Sequence, residues 1–308
     1  MEKNMKNIKK EFAQNGIFYT PKELAETLKS YIDFEPREVY DPTCGQGNLL
    51  SVFDNQIAKY GQELFADELE KAKECLTNFN GYCGNTLKDD GFKEKKFHAI
   101  VANPPFSIKW EPDEKDERFT MAEGILAPPS KADYAFILHI LHHLAEDGKA
   151  VVMGFPGILY RGVREGKIRK WIIEQNFIEK VIHIPANKFT DTAIATCVIV
   201  FNKRKRTTDI TFIDAEHDIE YPATLEEVRE NNYVLSVNRY AVYEEPREEI
   251  DIENINNYLV ERSIDRFIDA LEKDKLISSI EKREEKTLEI IGKMLLKVGN
   301  YLVNRKSS

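Results

Sequence analysis

Along most of the chain, short apolar runs alternate with segments whose apolar residues recur every three or four positions, the pattern of strands interleaved with helices. Residues 1–15 read as a Lys-rich arm or short helix. Helical spacing at Leu24, Leu28 and Tyr31-Ile32 then predicts a helix from Lys22 to Tyr31. Val39-Tyr40-Asp41 reads as a first strand, and the glycine turn behind it opens a helix expected to run to about Ala58. Tyr60–Phe65 is a second strand, Leu69–Phe79 a helix, Gly81-Tyr82-Cys83 a short third strand and His98–Ala102 a fourth. Residues 107–133 carry prolines and charges with little periodicity, as binding loops and lids do; Trp110 within them is either a lid aromatic or a packing anchor. An amphipathic helix at Ala132–Ala145, a strand at Ala150–Gly154 and a helix at Gly166–Gln175 follow. Two further strands, Val181–Ile184 and Ala195–Phe201, are separated by a short link with no helix, which predicts antiparallel pairing.

These elements give an α/β domain over residues 16–205, a doubly wound, seven-stranded, mostly parallel sheet. Residues 206–262 read as an acidic, irregular segment with room for an edge strand at Asp209–Asp214. Residues 263–308 read as a C-terminal helical extension whose apolar stripe (Phe267, Leu271, Ile280, Leu288, Met294) wants a partner.

Composition narrows the classes. The net charge of −9 argues against a whole-surface nucleic-acid binder, and the acidic segment after Asp214 should repel phosphate. Basic residues gather at Arg161, Arg164, Lys167, Arg169 and Lys170, and again at Lys203–Arg206; each group reads first as solvated surface, so nucleic acid must meet a local basic face or arrive with a basic partner. Cys44, Cys75, Cys83 and Cys197 form no C-x-x-C pair, the usage of a reduced cytoplasmic protein. No stretch has the length and apolarity of a membrane span or a signal peptide.

Candidate chemistry sits at strand ends. Asn103-Pro104-Pro105-Phe106 follows the fourth strand. Neither proline offers an N–H, and each keeps its predecessor extended, which makes a stiff loop with outward carbonyls. Such a loop suits a flat, amino-bearing ring: the Asn103 side-chain oxygen and the Pro104 carbonyl accept one amine hydrogen each, and Phe106 stacks on the ring. After the first strand, Gly45 and Gly47 allow close backbone approach to a ligand, while Leu50 stands where a dinucleotide fingerprint has its third glycine. Glu63 falls where a doubly wound fold places the acid for a ribose diol, with Asp67 and Glu68 as nearby substitutes. Asn85 follows the third strand on the ligand-binding edge. Thr20 before Pro21 reads as an N-cap followed by a proline at the first helical position. His139, His142 and His143 have the spacing to share a metal but are better read as core and surface residues, so no metal site is assigned.

In this order, Phe18-Tyr19-Thr20-Pro21, Asp41-Pro-Thr-Cys-Gly-Gln-Gly47, Gly61-Gln-Glu63, Gly84-Asn-Thr-Leu87, Asn103-Pro-Pro-Phe106, Ala132-Asp-Tyr-Ala-Phe136 and Phe155-Pro-Gly-Ile-Leu159 resemble the DNA adenine methyltransferases that are modification (M) subunits of type I restriction-modification systems. The resemblance implies an S-adenosylmethionine-dependent methyltransferase fold, S-adenosylmethionine as methyl donor and adenine N6 in double-stranded DNA as acceptor. It further implies a specificity (S) subunit as partner, with a restriction subunit joining. It places Phe18, Tyr19, Thr20 and Pro21, with Thr43, Cys44 and Gly45, against the methionine portion of the cofactor, and Asp41 in the same site. Gly47 belongs to the cofactor-binding turn, Glu63 to the ribose, Asn85 to the cofactor's adenine, Asn103 and Pro104 to the target amine and Phe106 to the flipped base. Three departures stand out: asparagine at 85 where the family has aspartate, only about fifteen residues before Phe18 where full-size M subunits carry a helical domain, and no evident second large domain for reading sequence. Cytosine N4 or a protein glutamine amide as acceptor, and a catalytically weak assembly subunit, are the competing readings.

Overall fold

The computed structural model describes residues 20–186, 195–243, 252–281, 289–294 and 296–297. A first compact unit comprises Met1–Tyr243 and a second Glu244–Ser308.

The first unit is built on one nine-stranded sheet. Its elements in chain order are α1 (Lys22–Ser30), β1 (Glu38–Asp41), α2 (Asn48–Ser51), β2 (Ala58–Glu63), α3 (Ala66–Cys75), β3 (Phe79–Cys83), β4 (Phe97–Ala102), α4 (Glu117–Thr120), α5 (Asp133–His143), β5 (Leu144–Gly154), α6 (Val163–Glu174), β6 (Ile178–Ile184), β7 (Thr196–Asn202), β8 (Ile210–Asp214), β9 (Ile219–Ala223) and α7 (Leu225–Glu230). The sheet order is β3-β2-β1-β4-β5-β7-β6-β8-β9. β1 to β5 pair in parallel, β7 runs antiparallel to both β5 and β6, and β8 returns parallel to β6. The antiparallel last pair expected from the missing helix is therefore present. The sheet exceeds the expected seven strands by β8 and β9, a hairpin that extends it beyond β6, so β9 rather than β8 forms that edge.

Strand residues alternate between two apolar layers because both faces of the sheet are covered. Tyr40, Ile100, Ala102 and Val152 join the cluster that contains the α5 and α6 side chains, whereas Val39, Ala99, Val101 and Val151 join the one that contains those of α1, α2 and α3. The helix after Gly47 ends at Ser51 rather than near Ala58. There the Asp54 carboxylate accepts from the Gln56 N–H (2.8 Å), and the buried Lys59 ammonium donates to the Asp54 carbonyl (2.7 Å); a closed turn then feeds β2 directly.

In the second unit, α8 (Ile252–Glu281) is one long helix. Leu259, Ile264 and Ile268 on it are exposed. No helix among the described residues is long and apolar enough to cross a membrane.

Candidate functional site

Parallel strands bring their carboxyl ends to one edge of the sheet, and the polar residues that end them converge there. Asp41 closes β1, Glu63 closes β2, Asn85 lies just past β3 and Asn103 just past β4. All four line a single cavity of about 840 Å³, together with Thr20, Thr43, Cys44 and Gly45.

The glycine turn forms the floor. Gly45 and Gly47 adopt φ of +52° and +85°, the left-handed region that a side chain disfavours. A Cβ at Gly47 would also lie 2.5 Å from a Leu76 methyl, whereas Gly45 has open space in front of it. Glu63 ties this turn to β2: its carboxylate accepts from the Gly45 N–H (2.9 Å) and from the Phe65 N–H (3.0 Å). Burial pushes the Glu63 carboxyl up, against the lowering effect of those donors. Asp41 is more extreme. Burial raises it to about 7, opposed by the Thr43 N–H (2.9 Å) and reinforced by the charge of Glu63. The Cys44 thiol is buried and pushed well up, which removes it as a nucleophile at neutral pH.

Asn103 is oriented by a residue 83 positions away: its side-chain nitrogen donates to the Thr20 hydroxyl at 3.1 Å. The amide oxygen is thereby left as an acceptor. Thr20 does not cap α1 as expected. Pro21 takes the N-cap position with ψ of 150°, its carbonyl accepting from the Ala25 N–H, and no side-chain cap is made. The Thr20 hydroxyl is instead committed to Asn103, and its carbonyl accepts from the Asn48 amide at 3.1 Å. Pro105 lines the cavity, Pro104 is buried, and the half-buried Phe106 packs against the apolar layer of α1, α2 and α3 rather than on the cavity wall. Phe18 and Tyr19 lie outside the described residues. Asn85 uses its side-chain oxygen to accept the Leu87 N–H at 3.0 Å, forming the turn after β3. Trp110 is an anchor: it is buried edge-on to Phe119 (4.9 Å) and donates its ring N–H to the Pro128 carbonyl, while its side lines the cavity.

Apolar lining at Leu64, Phe65, Leu87, Ile108 and Phe136 is absent from the sequence reading. Leu64 and Phe65 carry a legible signal, two large apolar residues directly after the acid that ends β2; they stay 54% and 39% exposed in a fold that buries most such side chains.

Of the three histidines, His139 and His143 meet Asp90, and His142 does not join them. Each ring nitrogen of the pair has a partner. His143 contacts the Lys95 carbonyl and the Asp90 carboxylate, both at 2.9 Å; His139 contacts the Tyr40 hydroxyl (3.1 Å) and the Arg118 guanidinium (3.0 Å). Arg118 also lies 3.5 Å from Asp90, so a guanidinium supplies the positive charge that an ion would bring.

Known proteins resemble this chain in sequence and fold. The N-6 DNA Methylase family model matches residues 2–223. A type I restriction enzyme methylase subunit (MpnII) of Mycoplasma pneumoniae is 33% identical over 84% of this chain and 59% of its own length. The MjaIX methylase subunit of Methanocaldococcus jannaschii is 29% identical over 62% of this chain and 38% of its own. The crystal structure of a type I restriction-modification methyltransferase subunit from Streptococcus thermophilus superposes with a TM-score of 0.67 at 31% identity, covering 73% of this chain and 59% of that one. The chain thus spans little more than half the length of its nearer relatives. The family model covers well over half of the sequence, and the chain belongs to the N-6 DNA methylase family.

Proposed function

We propose that this chain moves the methyl group of S-adenosylmethionine to adenine N6 in duplex DNA, as the modification subunit of a type I restriction-modification assembly. The observation that carries the reading is the Asn103–Thr20 hydrogen bond, which leaves the Asn103 oxygen as an acceptor on the wall of the cavity that Asp41 and Glu63 also line.

The residues fit the cofactor in charge and shape. Asp41 is a buried carboxyl with no cation among the described residues that interact with it, as suits a neighbour of a sulfonium or ammonium. Glu63 keeps lone pairs for a ribose diol beyond the two backbone donors that fix it. Leu64, Phe65 and Leu87 offer apolar faces to a purine, and Asn85 keeps an amide nitrogen for the ring edge. Thr20, Thr43, Cys44 and Gly45, which line the cavity, take the methionine portion, with Gly47 shaping their turn; the family resemblance assigns Phe18, Tyr19 and Pro21 to the same portion. Bound there, S-adenosylmethionine supplies a methyl group activated by its sulfonium.

The chain's own work is on the acceptor. Adenine N6 is a weak nucleophile because its lone pair is delocalised into the ring. On the extruded base, the Asn103 side-chain oxygen and the Pro104 carbonyl each accept one N6 hydrogen and Pro105 walls the site, while Phe106 would leave its packing on the α1–α3 layer to stack on the ring. The two acceptors draw N6 toward tetrahedral geometry, which localises its lone pair toward the methyl carbon. The N6–carbon bond forms as the carbon–sulfur bond breaks, and the surplus N6 proton leaves to water. Positioning rather than a strong base lowers the barrier. The exposed apolar residues of α8 serve as the docking surface for a specificity subunit, which supplies the target sequence; a restriction subunit completes the assembly.

Calorimetric titration with S-adenosylmethionine, with NAD as control, tests the cofactor site. Asn103→Ala is expected to keep that binding and to lose methyl transfer to DNA by at least about a hundredfold. Loss of cofactor binding in this variant would overturn the acceptor role. Mass spectrometry of the product nucleosides distinguishes N6-methyladenine from N4-methylcytosine.

A further inference from the structure

β5 reaches the same sheet edge as β4, with Val152 paired to Ala102 just before Asn103. The segment that follows, residues 155–164, leaves large apolar side chains in solvent: Phe155 is 39% exposed, Tyr160 54% and Val163 87%. Val163 also sits at φ +53°, a left-handed conformation that β-branched residues rarely enter. Strain of this kind clusters where a site requires it. Arg164 and Lys167, in the first turns of α6, are exposed and form no salt bridge among the described residues.

Arg161 is held differently. Its guanidinium lies 3.2 Å from the Asp133 carboxylate and 3.0 Å from that of Glu165, and it donates to the Ser107 hydroxyl at 3.2 Å. Ser107 directly follows Phe106, adopts φ +54°, and gives its N–H to the other Asp133 oxygen at 3.2 Å. One network, with Asp133 and Glu165 buried and Ser107 at the surface, therefore joins the apolar tip to the catalytic loop.

We infer that residues 155–164 are the duplex-opening element: Tyr160 and Val163 enter the DNA base stack beside the extruded adenine, Arg164 and Lys167 hold the flanking phosphates, and Arg161 fixes the element against Ser107. The inference rests on the adenine-methylation reading above. Exposed apolar side chains flanked by unpaired cations are the combination that proteins use to unstack DNA while neutralising its backbone. Arg161 is a positioning residue, because its charge is spent on Asp133 and Glu165.

The test uses the full chain with its specificity subunit. A random-sequence duplex pool is methylated, and sequencing of N6-methyladenine reads out the target. Absence of N6-methyladenine with the unaltered complex would sink the adenine reading itself. With the target known, 2-aminopurine at that position reports extrusion by its fluorescence. The double variant Tyr160→Ala/Val163→Ala should lose the fluorescence rise and slow transfer on matched duplex about tenfold or more. A mismatch opposite the target should restore transfer to within about threefold, because the base is then already unstacked. Arg164→Ala should weaken DNA binding and flatten its salt dependence. Unchanged transfer on matched duplex, or equal loss on matched and mismatched DNA, overturns the proposal.

Discussion

Asp41 and Asp90 are both buried, 1% and 7% exposed, yet their surroundings treat charge in opposite ways. Burial alone would raise Asp90, but its hydrogen bond to His143 and the neighbouring histidine charges outweigh that and hold it well below the usual carboxylate range. Arg118 completes the set at 3.5 Å. Among the described residues Asp41 has the Thr43 N–H and nothing cationic, and burial carries it to about 7. A buried acid whose partners come from its own chain is part of the scaffold. A buried acid left without a cation is stabilised only when a ligand brings one.

Breaking the scaffold acid should have the larger effect on folding. Asp90→Ala removes the partner of the buried His143 ring nitrogen and one of the two carboxylates beside the 6%-exposed Arg118, which keeps Asp116 at 2.6 Å; a loss of about 2 kcal/mol in urea unfolding is expected. A loss below about 1 kcal/mol would put the two aspartates in the same class. Asp41→Asn should do the reverse: unfolding stability at pH 8 unchanged or higher, and cofactor affinity lower by about tenfold or more.

pH separates the two without mutation. The Asp41 carboxyl is raised in the fold, so its stabilising contribution is complete below about pH 4 and is lost as pH rises toward 7, at up to about 1.4 kcal/mol per pH unit. Asp90 is lowered, so its contribution is present above about pH 4 and is lost in acid. The stability difference between wild type and Asp41→Asn should therefore shrink from pH 7.5 to 4.5. Calorimetry at pH 6 should also record proton release when S-adenosylmethionine binds, seen as a heat that varies with the buffer; buffer-independent heats would count against Asp41 as the cation's partner. The smallest effect is expected from Glu63→Ala, which should weaken cofactor binding severalfold because the Gly45 N–H also loses its acceptor. Unchanged affinity would move the ribose role to Asp67.

Much of this was legible in the chain because the sheet is built from local signals. Period-two runs, short links and glycine turns define β1 to β7, and the rule that parallel strands end at one edge gathers Asp41, Glu63, Asn85 and Asn103 from the sequence alone. The helix end at Ser51 is hidden in the sequence because Val52 and Phe53 continue the apolar spacing, while the turn at Asp54 depends on a lysine ammonium folding back onto it. Long-range polar pairing was illegible for a deeper reason. Asp90, Arg118 and His143 belong to different elements with no shared motif, and only the packed core brings them together. The role of Thr20 is hidden likewise, since a hydroxyl before a proline is a natural helix cap and nothing local names its partner as Asn103.

That hydroxyl has one more consequence. A primary amide is nearly the same shape either way round, so an asparagine free to turn over exists as two species, one attractive and one repulsive toward an incoming amine. The Thr20 hydroxyl, accepting from the amide nitrogen, holds the orientation that leaves the oxygen free. In Thr20→Val the amide would turn over on the order of nanoseconds, far faster than methyl transfer, so every molecule would share one lowered rate. A single-turnover burst of full amplitude but smaller rate constant is expected, and an unchanged rate constant would count against Thr20 as the residue that orients Asn103.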